Sequence, residues 1–309
     1  MEKVVITGAT GMIGLNLINY LLEKDIEVLA IIRRDSSRKK LLPVCDKVKV
    51  IECNLEELKV IKIEEKYDTF IHLAWDGTFG DSRNNVEAQL KNIEYTLDAV
   101  ELAKKLGCSK FIGAGSQAEY GRVEGIIKPT TPTNPENSYG MSKLCAGQLS
   151  RILANQLGIE HVWTRILSVY GPYDNDNTMV MSSIREMVEN NSSPDYTKAE
   201  QIWNYIYAED VAKAFYLIGE KGKNSSIYCI GSGTQRPLYE YIQEIRDNIN
   251  KNIKLNIGAK EYSENQVMNL CADISNLTKD TGFVPEVNFE EGIIKTINYY
   301  KEKINEEKD

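Results

Sequence analysis

Histidine is scarce in this chain: His72 and His161 are the only two among 309 residues. Each lies in or beside an apolar strand pattern, so a histidine metal site or a Ser/His/Asp triad has little to be built from. No metal is expected. No apolar run approaches the roughly 18 residues that a membrane-spanning helix needs. Positive charge is in deficit, with 37 Lys plus Arg against 45 Asp plus Glu and a formal net charge of -8. That balance speaks against nucleic acid or acidic membrane as the main partner. The six cysteines, at 45, 53, 108, 145, 229 and 271, show no Cys-x-x-Cys spacing and read as reduced, partly buried thiols of a cytosolic protein. The start, Met-Glu-Lys-Val-Val-Ile-Thr-Gly, moves straight into a strand pattern, leaving no room for a signal peptide. A cytoplasmic location is expected. Hydrophobic content of 42% and charged content of 27% are ordinary for a globular protein, long enough for one large domain or two smaller ones.

What is present begins with a strand, a glycine turn and a helix, in that order. Val4-Val5-Ile6 passes into Thr7-Gly8-Ala9-Thr10-Gly11-Met12-Ile13-Gly14, then into a helical pattern through Leu15, Ile18, Leu21 and Leu22. Glycines at 8, 11 and 14 let backbone approach a pyrophosphate, and the helix N-terminus attracts its negative charge. Gly8, Thr10, Gly11, Met12, Ile13 and Gly14 are therefore candidate cofactor-binding residues. Residues 27 to 32 read as the second strand, whose end in dinucleotide folds carries an acid for the adenosine ribose. Here Ile32 stands there, followed by Arg33-Arg34-Asp35-Ser36-Ser37-Arg38-Lys39-Lys40. Arg33 and Arg34, with the acid missing, suit a ribose 2′-phosphate. NADP(H) is favoured, with NAD(H) as the alternative. A third strand over 48 to 52 ends in Cys53-Asn54-Leu55, which places Asn54 and Leu55 by the adenine.

Residues 69 to 74 form the fourth strand and run into Trp75-Asp76-Gly77-Thr78. A long helix is expected from 84 to 106, with Val86, Leu90, Ile93, Leu97 and Val100 in an apolar stripe that needs either the sheet or another subunit. The fifth strand, Phe111 to Ala114, delivers Ser116 just past its carboxyl end, where ligands of open α/β sheets bind. Pro129, Pro132 and Pro135 space a loop leading into a helix that carries Tyr139 and Lys143. Four apart, those two share one helix face. A phenol of pKa about 10 is a poor acid–base catalyst at neutral pH, and a nearby ammonium favours the phenolate. Lowering that pKa by roughly three units takes on the order of 4 kcal/mol. Beyond a sixth strand at 161 to 165 the alternation loosens. Strands at 205 to 207 and 226 to 230 follow, with helices near 179–188, 209–218, 238–250 and 290–303 and a charged tail expected to fray.

The alternation predicts an α/β fold: a Rossmann-type doubly wound parallel sheet with a smaller, interleaved C-terminal domain. Residues 1 to 170, with about 204 to 230 returning, would form the dinucleotide-binding domain; 171 to 203 and 231 to 309 would form the substrate-binding one.

Taken together, these motifs resemble the extended short-chain dehydrogenase/reductase family. The resemblance rests on Thr-Gly-x-x-Gly-x-x-Gly at 7–14, His-Leu-Ala at 72–74 and Asn92-x-x-x-Thr96. It continues with Ser116 and Tyr120-Gly121, Tyr139-x-x-x-Lys143, Arg165 with Tyr170-Gly171-Pro172, and Glu209-Asp210-Val211-Ala212. Ile230-Gly231-Ser232-Gly233, Ala272-Asp273-Ile274-Ser275 and Gly282-Phe283-Val284-Pro285 complete it. It implies a nucleotide-linked sugar substrate and a homodimer through a four-helix bundle of the helices at 84–106 and 138–156. Tyr139 would exchange a proton with the substrate oxygen, Lys143 would lower its pKa and hold the nicotinamide ribose, and Ser116 would bond the same oxygen. Leu73, Ala74, Trp75 and Asn92 would line the cofactor, and Asp76, Gln117, Ser168 and Arg236 the substrate. Departures narrow the reaction. The dehydratases' Asp-Glu pair is Gln117-Ala118 here, which removes elimination chemistry. The Cys/His pair of GDP-fucose-forming epimerase-reductases is also missing. The family asparagine before Val-Tyr-Gly is Ser168, and an arginine often found before Tyr-Ile-Tyr is Trp203; Arg185 and Arg236 are candidates for the missing cation. The expected activity is a nucleotide-sugar 4-ketoreductase using NADPH. The alternatives are a 4-epimerase with tightly bound NAD and a non-catalytic NADP-binding regulator.

Overall fold

The computed structural model describes residues 1–306. The first half contains β1 (Lys3–Thr7), α1 (Met12–Glu23), β2 (Glu27–Ile32), β3 (Val48–Glu52), β4 (Thr69–His72), α2 (Val86–Lys105), β5 (Lys110–Ser116), β6 (Ile126–Ile127), α3 (Ser138–Leu157) and β7 (Glu160–Ile166). The second continues with β8 (Ser168–Tyr170), α4 (Met179–Glu189), β9 (Ile202–Trp203), β10 (Tyr205–Tyr207), α5 (Ala208–Lys221), β11 (Ser226–Ile230), β12 (Arg236–Pro237), α6 (Leu238–Ile249), β13 (Asn269–Ala272), α7 (Ser275–Thr281) and α8 (Phe289–Glu306). The rest of the charged tail expected to fray, residues 307–309, lies outside the described residues.

Seven strands form one parallel sheet in the order β11-β7-β5-β4-β1-β2-β3. The period of two along each strand sorts its residues between two cores. Val4, Ile6, Val28, Ala30, Ile112 and Val162 pack with Leu15, Ile18 and Leu21 of α1 and Val211, Phe215 and Ile218 of α5. Val5, Leu29, Ile31, Phe70 and Phe111 pack with Ala99, Val100 and Ala103 of α2 and Ala154 of α3. Covered on both faces, the inner strands read as unbroken apolar runs. The chain moves outward from β1 to β3 and then returns to β4 on the other side of β1, so the strand order reverses between β1 and β4. That crevice, at the carboxyl ends, is where such a sheet binds ligands.

A smaller sheet, β12-β9-β13-β6, and the pair β10-β8 stand beyond this edge. A third core there joins Tyr170, Ile184, Tyr207, Tyr241, Ile245, Phe289 and Ile293. Leu277 and Phe283, in and just after α7, return to the α1–α5 side of the large sheet. The short strands β6, β8, β9, β12 and β13 carry too few residues to show a period, and pattern reading does not find them. The helix expected from 84 begins at Val86 because Asn85 caps it, its side chain accepting from the Ala88 N–H, while Gly80–Asn84 wind into a 3-10 turn. Its stripe is split: Val100 packs into the core under the sheet, while Val86 and Leu90 are more than half exposed and Gln89, Asn92, Thr96 and Ala99 take buried positions.

Candidate active site

The glycine turn is held by steric necessity. Gly8 has φ +70, and a Cβ there would lie 2.7 Å from the Ala74 nitrogen. A Cβ on Gly14 would lie 2.5 Å from the Gly8 carbonyl oxygen. Gly11 donates its N–H to that oxygen at 3.0 Å and stands at the N-cap of α1, whose first turn has no side-chain cap and no acid. Donors left open at a helix start, with backbone on both sides, fit a dinucleotide pyrophosphate. Met12 and Ile13 open the helix, and the Thr10 hydroxyl accepts from Ser36 at 3.0 Å, tying this turn to the loop after β2. On that loop Arg33 lies 3.5 Å from Asp35 and Arg34 lies 2.7 Å from Glu57, both arginines well exposed. Asn54 caps the turn Leu55–Glu57 and accepts from the Arg34 N–H at 3.3 Å. Leu73 and Ala74 lie under the turn, where the Ala74 N–H reaches the Thr7 hydroxyl at 3.4 Å.

Ser116 ends β5 and is buried. Its hydroxyl oxygen accepts from the Ala118 N–H at 3.1 Å, leaving its proton free to donate outward. Helix α3 starts at the N-cap Asn137, whose side chain accepts from the Gly140 N–H at 2.8 Å. Gly140 lets this start close on the Ser116 turn, since a Cβ there would lie 2.3 Å from the Ala118 oxygen. Tyr139 thereby comes beside Ser116, with Lys143 one turn along.

The electrostatics of this trio differ from expectation. Burial holds the Tyr139 phenol above its ordinary pKa; the Ser116 hydroxyl and the Arg83 guanidinium pull the other way. The Lys143 ammonium does not produce the expected depression. It donates to the Ala114 carbonyl at 2.6 Å, lies 3.7 Å over the Trp75 ring and is 5.7 Å from the Tyr139 ring. Burial lowers its pKa to about 7. The nearer cation over the phenol is Arg83, 4.6 Å from the ring centroid. His72, packed beneath, is pushed down to about 3 by burial and is paired with Thr7 at 2.8 Å.

The residues expected to line the remaining ligand surfaces divide. Trp75 packs edge-on to Tyr139, ring centroids 6.1 Å apart. Asn92 turns its amide to the loop instead of outward: it accepts from the Asp76 N–H at 2.9 Å and donates to the Asp76 carbonyl at 2.9 Å. The Asp76 side chain stays exposed, and Gln117 is half-buried next to Ser116. Ser168 accepts from the Trp203 indole at 2.9 Å. The two departures noted in the sequence thus satisfy one another. Arg236 pairs across the strands with Trp203, but its charge is matched by Glu290 at 2.6 Å and its guanidinium lies 4.3 Å over Tyr241. It is not a free cation.

Two residues at the site go unnoticed in sequence. Glu119, wholly buried, accepts from the Ser116 N–H at 2.8 Å, the Trp163 indole at 3.0 Å and Arg165 at 2.7 Å. Its signal was the Ser116-x-x-Glu119 spacing of a capping box. Arg83 had no signal beyond its place after the fourth strand. Among the described residues no cluster of three His, Cys, Asp or Glu is arranged to hold a metal, and no helix is long and apolar enough to cross a membrane.

Doubly wound sheet, glycine turn and tyrosine-bearing helix together define an extended short-chain dehydrogenase/reductase. The chain belongs to the NAD dependent epimerase/dehydratase family, whose model matches residues 4–231. It is 25% identical over 303 residues to the CDP-abequose synthase of Salmonella muenchen, covering 96% of this chain and 97% of that one. It is 27% identical over 305 residues to the dTDP-4-dehydro-6-deoxyglucose reductase of Escherichia coli, with 95% and 96% covered. Among solved structures it superposes on the UDP-N-acetylglucosamine 4-epimerase of Methanobrevibacter ruminantium M1 with a TM-score of 0.89 and 23% identity, covering 98% and 99%. The relatives are nucleotide-sugar reductases, epimerases and dehydratases, and an NAD(P)-type cofactor belongs with the family.

Proposed function

We propose that the protein is a nucleotide-sugar 4-ketoreductase that uses NADPH to reduce a 4-keto-6-deoxyhexose. A bound nicotinamide would supply the hydride. The chain would supply the rest: Ser116 donating to the keto oxygen, Tyr139 delivering the proton, Lys143 holding the cofactor ribose. The observation that carries this reading is that Tyr139 stands without a carboxylate partner. Gln117 and Ala118 are not acids, and the acid that follows them, Glu119, has its oxygens taken by Ser116, Trp163 and Arg165. That favours chemistry at one carbon over elimination across two. The choice of NADPH rests on Arg33 and Arg34 at the end of a strand that lacks an acid. The reading is tested by NADPH oxidation with UDP-, dTDP-, CDP- and GDP-linked 4-keto-6-deoxyhexoses, at least one of which should turn over. No turnover with any of them would refute it.

The acid partners of those arginines, Asp35 and Glu57, favour a second reading, because they offset the charge that a 2′-phosphate would meet. It is a 4-epimerase that keeps its NAD. Denatured protein would then release stoichiometric NAD, and activity would need no added cofactor. In either case the exposed apolar side chains Val86 and Leu90 on α2 and Met141, Leu149 and Ile152 on α3 support a homodimer through these helices. Paired Leu90→Lys and Ile152→Lys substitutions should convert a sedimenting dimer to monomer.

A further inference from the structure

Arg83 lies in the 3-10 turn Gly80–Asn84 that joins β4 to α2, and its guanidinium stacks on the face of Tyr139. The turn is pinned from two directions. Gln89, fully buried, donates to the carbonyls of Gly77 at 2.8 Å and Ser82 at 3.1 Å and accepts from the Trp75 indole at 2.8 Å. On the other side, the Asn84 side chain accepts from the N–H of Ser138, the first residue of α3, at 3.3 Å. Arg83 is thus aimed over Tyr139 by a fixed frame, not by a free loop.

Its charge is unmatched. Among the described residues the guanidinium has neither an ion-pair partner nor a hydrogen-bond acceptor, and its Nε is closed off from solvent. The other arginines near this edge of the sheet have their charge matched: Arg165 by Glu119 at 2.7 Å, and Arg236 by Glu290 at 2.6 Å, although the Arg236 Nε is also without an acceptor. A desolvated donor without an acceptor is costly and rare in folded proteins, and the exceptions call for an explanation. A guanidinium fork is shaped for the two oxygens of a carboxylate or phosphoryl group.

We propose that Arg83 is a substrate-binding residue that holds an oxyanion of the substrate beside Tyr139. This rests on the nucleotide-sugar reading above and adds the group that recognises the substrate's negative charge. The oxyanion is a phosphoryl group of the attached nucleotide, because a 6-deoxyhexose carries no carboxylate.

Calorimetric titration of the NADP+-loaded protein tests it. UDP-glucose, dTDP-glucose, CDP-glucose and GDP-mannose are titrated first, together with UDP-glucuronic acid. Every sugar nucleotide that binds the wild type is then compared on Arg83→Met and Arg83→Lys. Arg83→Met should weaken binding at least tenfold, and Arg83→Lys should recover part of the loss, since it keeps the charge without the fork. A similar loss for every ligand supports the phosphoryl group; a loss confined to UDP-glucuronic acid assigns Arg83 to a carboxylate and overturns the phosphoryl assignment. Unchanged affinity in Arg83→Met, with the thermal midpoint and NADP+ affinity of the wild type, overturns the assignment of Arg83. A wild type that binds none of the five overturns the nucleotide-sugar reading itself, and the assignment with it.

Discussion

The glycine turn after β1 and the strands that carry Ser168, Trp203 and Arg236 are built on different terms. In the first, backbone makes the shape: Gly8 and Gly14 leave no room for a Cβ, and the open donors belong to the start of α1. In the second, side chains close on one another, Trp203 on Ser168 and Arg236 on Glu290. A backbone site tolerates no substitution, whereas a side-chain pair can be exchanged as a unit. The contrast teaches which part of such a scaffold can vary: the turn cannot, and the paired side chains can.

The contrast is broken most severely at Gly14. Gly14→Val should abolish cofactor binding in a fluorescence titration with NADPH, because the new side chain must displace the Gly8 carbonyl. A variant that still binds would mean that the turn is not sterically fixed. Next in size is Glu119→Gln, which removes the charge facing the buried Arg165. The expected loss is about 3–5 kcal/mol of stability in urea, and a change under about 1 kcal/mol would show that the pair is not desolvated.

Lys143 gives an effect of similar size but spread over pH. Its pKa is about 7 in the fold against the ordinary 10.5, so in the cofactor-free protein the unfolded chain binds this proton more tightly. The penalty is fully present below about pH 7 and gone above 10.5. Stability therefore rises with pH between those values, by at most about 1.4 kcal/mol per unit. Lys143→Met should flatten that rise in urea melts, and an unchanged slope would contradict the burial of the ammonium. The smallest effect belongs to the Ser168–Trp203 pair. Trp203→Phe loses one hydrogen bond, about 1 kcal/mol, and should leave NADPH affinity untouched. A fall in that affinity would erase the distinction between the two regions.

Much of this was readable in advance, for reasons the residues show. The inner strands β1, β2 and β5 stand where their apolar runs predicted, because a strand covered on both faces must be apolar along its length. The glycine turn was legible because only glycine meets its constraints. The direction of the Lys143 side chain was not. Spacing places Lys143 and Tyr139 on one helix face, but the ammonium is drawn aside by the Ala114 carbonyl of β5 and the Trp75 ring in the loop after β4. Arg83 was hidden for the same reason, since its meaning lies in a stack across two elements. Ser168 and Trp203 registered as two separate departures, and only the fold shows that they are one pair.

The central claim, that Tyr139 delivers the proton, is tested most directly by Tyr139→Phe. The measurement is NADPH oxidation at 340 nm with a 4-keto-sugar nucleotide that the wild type turns over, alongside NADPH binding by fluorescence. The account predicts a loss of turnover of about 100-fold or more, with NADPH affinity nearly unchanged. Turnover equal to the wild type would contradict it.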